Sequence, residues 1–412
     1  MKPSDIAQLV KVWGVKGVWN AARRMPAIWQ SKFRFVLNIV KNRKTVPVKG
    51  ITIVADIGAP CSLSKTMRDF AVMLKAAGIP FQVIDIGSKH SPSGRARQED
   101  YVSLLTGKCN LLKYEYVVEM VTSPLPKKLP VKRCRIVFWE GEHGLLDVFP
   151  YLLDSNAVIA MSDFNFRYFR QELPASIAVC KVRYPLLPLP EGVLDKASAR
   201  KRFDIGNYDF VVFYNFDLRS GSRKNAEDVL DAFALAFGGD STCKLLLKIN
   251  SAKVLSGKMA ELMARAEKLG IRKQLVAVTD YLSQTDLYSL TNACDVYLSL
   301  HHAEGFGLGV AESMQMGKAV VVTAYSSTNE FCNDNTAMLV PYEMAPIDET
   351  GFVSYMREWA KPDVQAAAEK LKLLRSDQEL RAKLGCEAKK FVEDYFSVAN
   401  FRQSIEEFFR QV

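Results

Sequence analysis

Residues 295–318 read DVYLSLHHAEGFGLGVAESMQMGK. The apolar run DVYLSL leads into a loop holding Gly305, Gly307 and Gly309, and the stretch VAESMQMGK that follows has the composition of a helix. A strand that empties into a glycine loop and then a helix is the repeating unit of a parallel α/β sheet, and such sheets bind ligands outside the carboxyl ends of their strands. Glycine permits positive φ and lets a ligand approach bare backbone. The amides that open the next helix, with the positive end of its dipole behind them, attract an anion, phosphate being the best fit. Two carboxylates, Glu304 and Glu312, bracket the loop. They cannot themselves favour phosphate, but an ionised carboxylate accepts two hydrogen bonds from vicinal hydroxyls.

The same alternation extends in both directions. From Gly50, ITIVADIG reads as a strand, SLSKTMRDFAVMLKAAG as a helix closed by Gly78, and FQVIDIG as the next strand. CRIVFWEGEHG and NAVIAMSD read as later strands with loops at their carboxyl ends. Pro185, Pro188 and Pro190 interrupt regular structure in YPLLPLPEG and mark a linker. Strand and helix patterns then resume with YDFVVFYNF, EDVLDAFALAF, CKLLLKIN, KMAELMARAEKLG, LVAVTD, DLYSLTNAC and DVYLSL. The expectation is two doubly wound, Rossmann-like α/β lobes facing a central cleft. They are an acceptor-side lobe at 50–190 and a donor lobe at 207–390, joined by a linker at 191–206, with a basic segment at 1–49 before them and a C-terminal helix at 391–412 that returns to the first lobe.

The chain has 412 residues, 49% of them hydrophobic, and a formal charge of +10. Residues 1–49 hold eleven Lys or Arg against Asp5 alone, which leaves 44 basic and 44 acidic residues in the rest. A neutral body disfavours nucleic acid as a partner. Eight widely spaced cysteines without a CxxC pair, and only four histidines, support neither a disulfide framework nor a zinc site and favour a reducing compartment. With no spanning run or signal-peptide pattern, the expected location is cytoplasmic. In the basic segment Trp13, Trp19 and Trp29 are interleaved with Lys and Arg, and Trp29, Phe33, Val36 and Val40 repeat at helical spacing. Residues 1–44 therefore suit a helix lying on an anionic membrane surface, on its cytoplasmic face; packing on the body and an organelle-targeting presequence are the other readings.

A second cluster supplies positive charge. FDLRSGSRKNAEDVL places Arg219, Ser220, Arg223 and Lys224 in a turn between a strand end and a helix. Arg can bridge phosphate oxygens and Lys can act as a point charge. A run such as SRKN taken alone suits an ordinary solvated helix start; the glycine loop in the same lobe gives it weight. If helical, the eight-residue step from Glu304 to Glu312 spans at most ~12 Å. That is about the distance between the two sugars of a nucleoside diphosphate sugar.

FDLRSGSRKN, LLLKIN, DYLSQTDLYSLTNACDVYLSLHHAEGFGLGVAESMQMGKAVVVTAYSS and LVPY resemble, in order, the retaining glycosyltransferases of family 4, which have the two-lobed GT-B fold. Glu304 and Glu312 match that family's E-x7-E spacing, and GAPCSLSKTMRDFA, FWEGEHG and AMSDFNFRYF match more loosely. The resemblance implies a hexosyltransferase taking its sugar from a UDP-, GDP- or dTDP-linked donor to a glycan or lipid-linked acceptor, with no cofactor. It implies that Glu312 holds the ribose, that Glu304 lies by the donor hexose, and that Arg223 and Lys224 neutralise the departing diphosphate. Gly305, Phe306, Gly307 and Leu308 would offer backbone contacts, Lys248 would be a cleft residue, and His143 would face the donor or acceptor from the first lobe, or else have no role. No D-x-D triplet occurs, Glu140 and Glu142 being the nearest imitation, so no metal is expected. His302 stands where relatives often carry Arg, and Ala324, Ser327 and Thr328 alter a turn beside the donor. Two other readings remain: an inactive nucleotide-sugar-binding or membrane scaffold of the same fold, and an NAD(P)-dependent oxidoreductase. The latter would need a third loop glycine where Val310 stands.

Overall fold

The computed structural model describes residues 27–59, 61–87, 110–120, 125, 126, 128–348 and 352–412. Its framework is two six-stranded sheets. The first contains β1 (Val48–Ala55), β2 (Phe81–Asp85), β3 (Tyr114–Met120), β4 (Lys132–Ile136), β5 (Ala157–Ala160) and β6 (Ala178–Lys181). They lie in the order β2-β1-β3-β4-β5-β6, with every pairing parallel. The second contains β7 (Phe210–Asp217), β8 (Cys243–Asn250), β9 (Leu275–Val278), β10 (Val296–Ser299), β11 (Ala319–Thr323) and β12 (Met338–Val340), in the order β12-β11-β10-β7-β8-β9, again all parallel. Helices cover both faces, so strands such as AVVVT and AVIA are buried along their whole length. The molecule has two Rossmann-like lobes of the GT-B type, as the sequence pattern implied.

Strand order fixes where the second lobe can bind. The chain steps outward from β7 through β8 to β9, then returns to lay β10 on the other side of β7. The crevice at this reversal opens between the loops that follow β7 and β10. These loops are Leu218–Lys224 and His301–Gly307, the two stretches singled out by charge and by glycine. Helix starts at the same edge are capped in sequence: Asn225 for Ala226–Phe237 and Ser283 for Gln284–Asn292, each accepting from a first-turn amide.

The lobes share an apolar seam. Tyr184, at the start of the proline-rich stretch, stacks on Phe306 with centroids 3.9 Å apart and 14° between planes. Ser162 Oγ and Ser327 Oγ lie 2.9 Å apart, and Asp163 N–H donates to Glu330 Oε2 at 2.7 Å. The terminal helix Val398–Gln411 packs on the first lobe, where Phe401 meets Phe70 edge-on at 5.6 Å and Ser404 Oγ accepts from Arg183 N–H at 3.2 Å. An element without a sequence forecast is the antiparallel hairpin of β13 (Tyr342–Pro346) and β14 (Glu358–Pro362). It leaves the second lobe and sets Met356 and Trp359 into a first-lobe cluster with Trp139, Leu145 and Leu152.

The basic N-terminal segment divides. Residues 1–26 lie outside the described residues, and the helix Ala27–Lys41 follows them. Its second half packs on the first lobe: Phe35 is buried with Val54, Leu111 and Val117, and Asn38 Oδ1 accepts from Leu111 N–H at 2.9 Å. Of the apolar stripe expected from helical spacing, Val36 is buried and Val40 only half-buried, while Phe35, off that stripe, is buried. The body's own apolar surface turns this part of the helix. No helix among the described residues is long and apolar enough to cross a membrane.

Candidate functional site

A cleft of about 840 Å³ separates the carboxyl edges of the two sheets. Glu304, Gly305, Phe306, Gly307, Leu308, Glu312, Arg219, Ser220, Arg223, Lys224 and Lys248 all line it. His143 does not; it sits half-buried beyond the cleft, with its carbonyl accepting from Trp139 Nε1–H at 2.9 Å.

The loops after β7 and β10 are joined at the backbone, where His302 N–H donates to the Arg223 carbonyl at 3.0 Å. This brings Lys224 Nζ onto Glu304 Oε1, where it donates a hydrogen bond. Arg223 Nη1 donates to the Ala303 carbonyl at 2.9 Å and lies 3.7 Å from Glu304 Oε2. The Glu304 N–H donates to Ser326 Oγ at 2.9 Å, so its backbone and its carboxylate are both fixed. Burial alone would raise the Glu304 pKa, but Lys224 and Arg223 outweigh it and hold the group down at about 2. Glu304 is therefore a carboxylate throughout the ordinary pH range and cannot serve as a general acid. Behind it, buried His301 bridges Ser299 Oγ at 3.0 Å and the Tyr325 carbonyl at 3.3 Å; burial lowers its pKa to about 4, so the ring is neutral.

The three loop glycines act differently from the sequence expectation. Only Gly307 has positive φ, at 91°, and caps the helix Leu308–Gln315. A Cβ on Gly307 would overlap Thr328 Cγ2, one on Gly305 would come within 2.9 Å of Phe138 Cβ, and one on Gly309 would overlap the Tyr297 hydroxyl. Neighbouring side chains thus pack where a Cβ would stand at each of the three, while all three glycines also line the cleft. No side chain caps the helix, and Gly307, Leu308, Gly309 and Val310 line the cleft, so its first-turn amides are available there for an anion.

One turn into that helix, Glu312 lies in a second cluster. Its Oε1 accepts from Tyr288 Oη at 3.1 Å and Gln284 Nε2 at 3.4 Å. Lys65 of the first lobe reaches the same oxygen at 3.5 Å and also bonds Asp69. Two buried carboxylates thus share one ammonium. Burial pushes the Glu312 pKa up, Lys65 opposes this, and Asp69 adds to it; the net shift is upward. Asp69 is likewise raised by burial against the pull of Lys65. Toward the far end of the cleft, Lys248 Nζ donates to Asn250 Oδ1 at 2.7 Å, its pKa lowered by burial. Arg219 forks onto Asp217 at 2.8 and 3.2 Å, largely exposed.

Several cleft residues had no sequence forecast: Lys65, Glu140, Tyr184, Asn215 and Gln284, and neither had Tyr288, which bonds Glu312. Lys65 and Asp69 stand four apart on one face of a helix, a legible pairing signal. Glu140 was considered only as a substitute for a metal triplet; here its Oε1 lies 3.3 Å from Arg223 Nη2.

The profile described as "Glycosyl transferases group 1" matches residues 200–391, which include every second-lobe residue named above except the C-terminal returns. A stretch of 127 residues, 30% of this chain, is 28% identical to the serotype-specific mannosyltransferase WbdA of Escherichia coli; it spans 15% of that relative's length. By shape the chain is similar to the sucrose-phosphate synthase of Thermosynechococcus elongatus, with TM-score 0.64 and 15% identity over 88% of this chain and 99% of the other. It is also similar to HepE of Anabaena in complex with UDP and glucose, with TM-score 0.61 and 15% identity over 89% of this chain and 100% of the other. At such identity these two likenesses speak for the fold. The stretch that matches the profile holds the loops after β7 and β10, while the first lobe contributes Lys65 and Glu140 from across the cleft.

Proposed function

We propose that the protein is a retaining, metal-independent glycosyltransferase. It moves a hexose-type sugar from a nucleoside diphosphate sugar to a hydroxyl of a glycan or glycolipid, in the synthesis of a cell-surface polysaccharide. The observation that carries this reading is Glu304: a buried carboxylate, kept ionised by Lys224 and Arg223 beside the open N-terminus of a helix, in the cleft between the lobes. Eight positions on, Glu312 offers a second carboxylate suited to the vicinal hydroxyls of a ribose. HepE is solved in complex with UDP and glucose and the Escherichia coli relative is named a mannosyltransferase, and both support a hexosyl nucleotide as donor.

The charges suggest the mechanism. The bond between the anomeric carbon and the phosphate oxygen breaks with its electron pair remaining on the diphosphate. Arg223, Lys224 and the amides of Leu308–Val310 stabilise that developing charge, which is the role a metal takes in other transferases. Glu304 accepts hydrogen bonds from sugar hydroxyls and lies near the positive charge of the oxocarbenium-like sugar. The acceptor hydroxyl attacks from the face the phosphate leaves, its oxygen bonding to the anomeric carbon and its proton passing to a diphosphate oxygen, so configuration is retained. Residues 1–44, with their net positive charge, would hold the enzyme on the cytoplasmic surface of an anionic membrane, close to a lipid-linked acceptor. The test is a panel of UDP-, GDP- and dTDP-sugars scored for thermal stabilisation and for nucleotide release. One nucleotide-sugar class should stabilise and turn over; failure of the whole panel would contradict the proposal.

A further inference from the structure

The first lobe presents one carboxylate to the reacting end of the cleft, and the sequence motifs did not assign it a task. In the loop EGEHG after β4, Glu142 is exposed and His143 lies beyond the cleft, whereas Glu140 lines it. Resting on the reading above, we propose that Glu140 is the first lobe's contact to the transferred sugar, accepting a hydrogen bond from one of its hydroxyls opposite Glu304.

The case begins with Arg223. One guanidinium faces carboxylates from both lobes: Nη2 lies 3.3 Å from Glu140 Oε1 and Nη1 3.7 Å from Glu304 Oε2. The Arg223 side chain is only 13% exposed and that of Glu140 14%, so neither is a solvated surface charge. Arg223 is the residue expected to turn its charge on the leaving diphosphate. When it does, Glu140 and Glu304, the two carboxylates it had faced, regain acceptor capacity, and sugar hydroxyls are the donors available to fill it.

The placement of Glu140 is built. Trp139 N–H donates to Asn165 Oδ1 at 3.2 Å, and Asn165 Nδ2 donates back to the Trp139 carbonyl at 2.5 Å. A Cβ on Gly141 would come within 2.7 Å of Met356 Cβ, and Gly144, at φ 77°, passes against the Tyr355 carbonyl. Tyr355 and Met356 belong to the segment between β13 and β14. The same hairpin holds the Glu304 side of the cleft. Ala360 N–H donates to the His302 carbonyl at 3.1 Å, the Ala360 carbonyl pairs with His302 Nδ1 at 2.6 Å, and Trp359 stacks on His302 at 4.3 Å. One arm of the second lobe therefore braces both loops, which fixes the spacing between Glu140 and Glu304.

The experiment measures, for wild type, Glu140→Gln and the exposed control Glu142→Gln, the rate of nucleotide release from the donor identified by the panel. It also measures the affinity for the corresponding free nucleoside diphosphate. Glu140→Gln should lower release by about tenfold or more, the scale of one charge-assisted contact strengthened in the transition state. Its affinity for the nucleoside diphosphate should be equal or higher, because a carboxylate competing for Arg223 has been removed. Glu142→Gln should match wild type in both. Release by Glu140→Gln within fivefold of wild type overturns the assignment, and so does nucleotide affinity that falls in step with release, which would mark a structural role. Failure of the broader functional reading would look different: wild-type protein would neither bind nor turn over any donor.

Discussion

Replacing Gly307 with Ala tests how the loop is built. The new Cβ sits on a residue at φ 91° and overlaps Thr328 Cγ2. The left-handed backbone costs roughly 1–2 kcal/mol for a residue with a Cβ. Overpacking against a fully buried Thr328 adds about 1–3 kcal/mol. The substitution should therefore destabilise the second lobe by about 2–5 kcal/mol, measured by urea denaturation followed at the fluorescence of its aromatic residues. The two parts separate in a double-mutant cycle with Thr328→Ser. That change deletes the colliding methyl and keeps the hydroxyl that donates to the Tyr325 carbonyl at 3.1 Å. In the Thr328→Ser background, Gly307→Ala should cost only the backbone share, roughly 1–2 kcal/mol. A cost under about 0.5 kcal/mol in the wild-type background, or no relief by Thr328→Ser, would refute the packing argument.

Two further outcomes follow from the charges and the packing. Because the folded-state pKa of Glu312 is raised, its contribution to stability is complete at low pH and is lost as pH rises through that value. Glu312→Gln should consequently melt at or above the wild-type temperature at neutral pH, with its advantage shrinking toward acid. A neutral-pH melting point several degrees below wild type would show that the shared Lys65 stabilises Glu312 more than burial penalises it. At the N-terminus, removal of residues 1–26 should weaken binding to anionic vesicles. Removal of residues 1–44 should also destabilise the fold, because it strips buried Phe35, worth roughly 1.5–3 kcal/mol, from its cluster on the first lobe. Vesicle binding that survives loss of residues 1–44 would end the proposal of a membrane-surface segment there.

The second lobe was legible because its strands are short, buried on both faces and separated by glycine and capping residues, and period-two and period-3.6 patterns rarely compete there. The crevice was legible for the same reason: the order of strands in a doubly wound sheet places the loops after β7 and β10 side by side. Contacts between lobes were not. Tyr184 stands in a proline-rich stretch that reads as a linker, yet its ring is buried on Phe306, a partner 122 positions away that no local pattern reveals. His143 drew notice from its place at a strand end of the opposing lobe, but it is Glu140, three residues earlier in the same loop, that lines the cleft. The β13–β14 hairpin escaped notice since YEMAP and EWAKP alternate weakly and each carries a proline. The glycines of EGFGLG were recognised, but the reason for two of them lies in neighbours brought near by folding.

The central claim is that Glu304 and Glu312 divide a nucleoside diphosphate sugar between them, Glu312 taking the ribose. Calorimetric titration of wild type and Glu312→Gln with UDP, GDP and dTDP tests it most directly. One nucleotide should bind the wild type, and the variant, folded and melting as predicted, should lose about tenfold or more in affinity for it, as expected for charged hydrogen bonds to a ribose. Equal binding of that nucleotide by the two proteins would contradict the account.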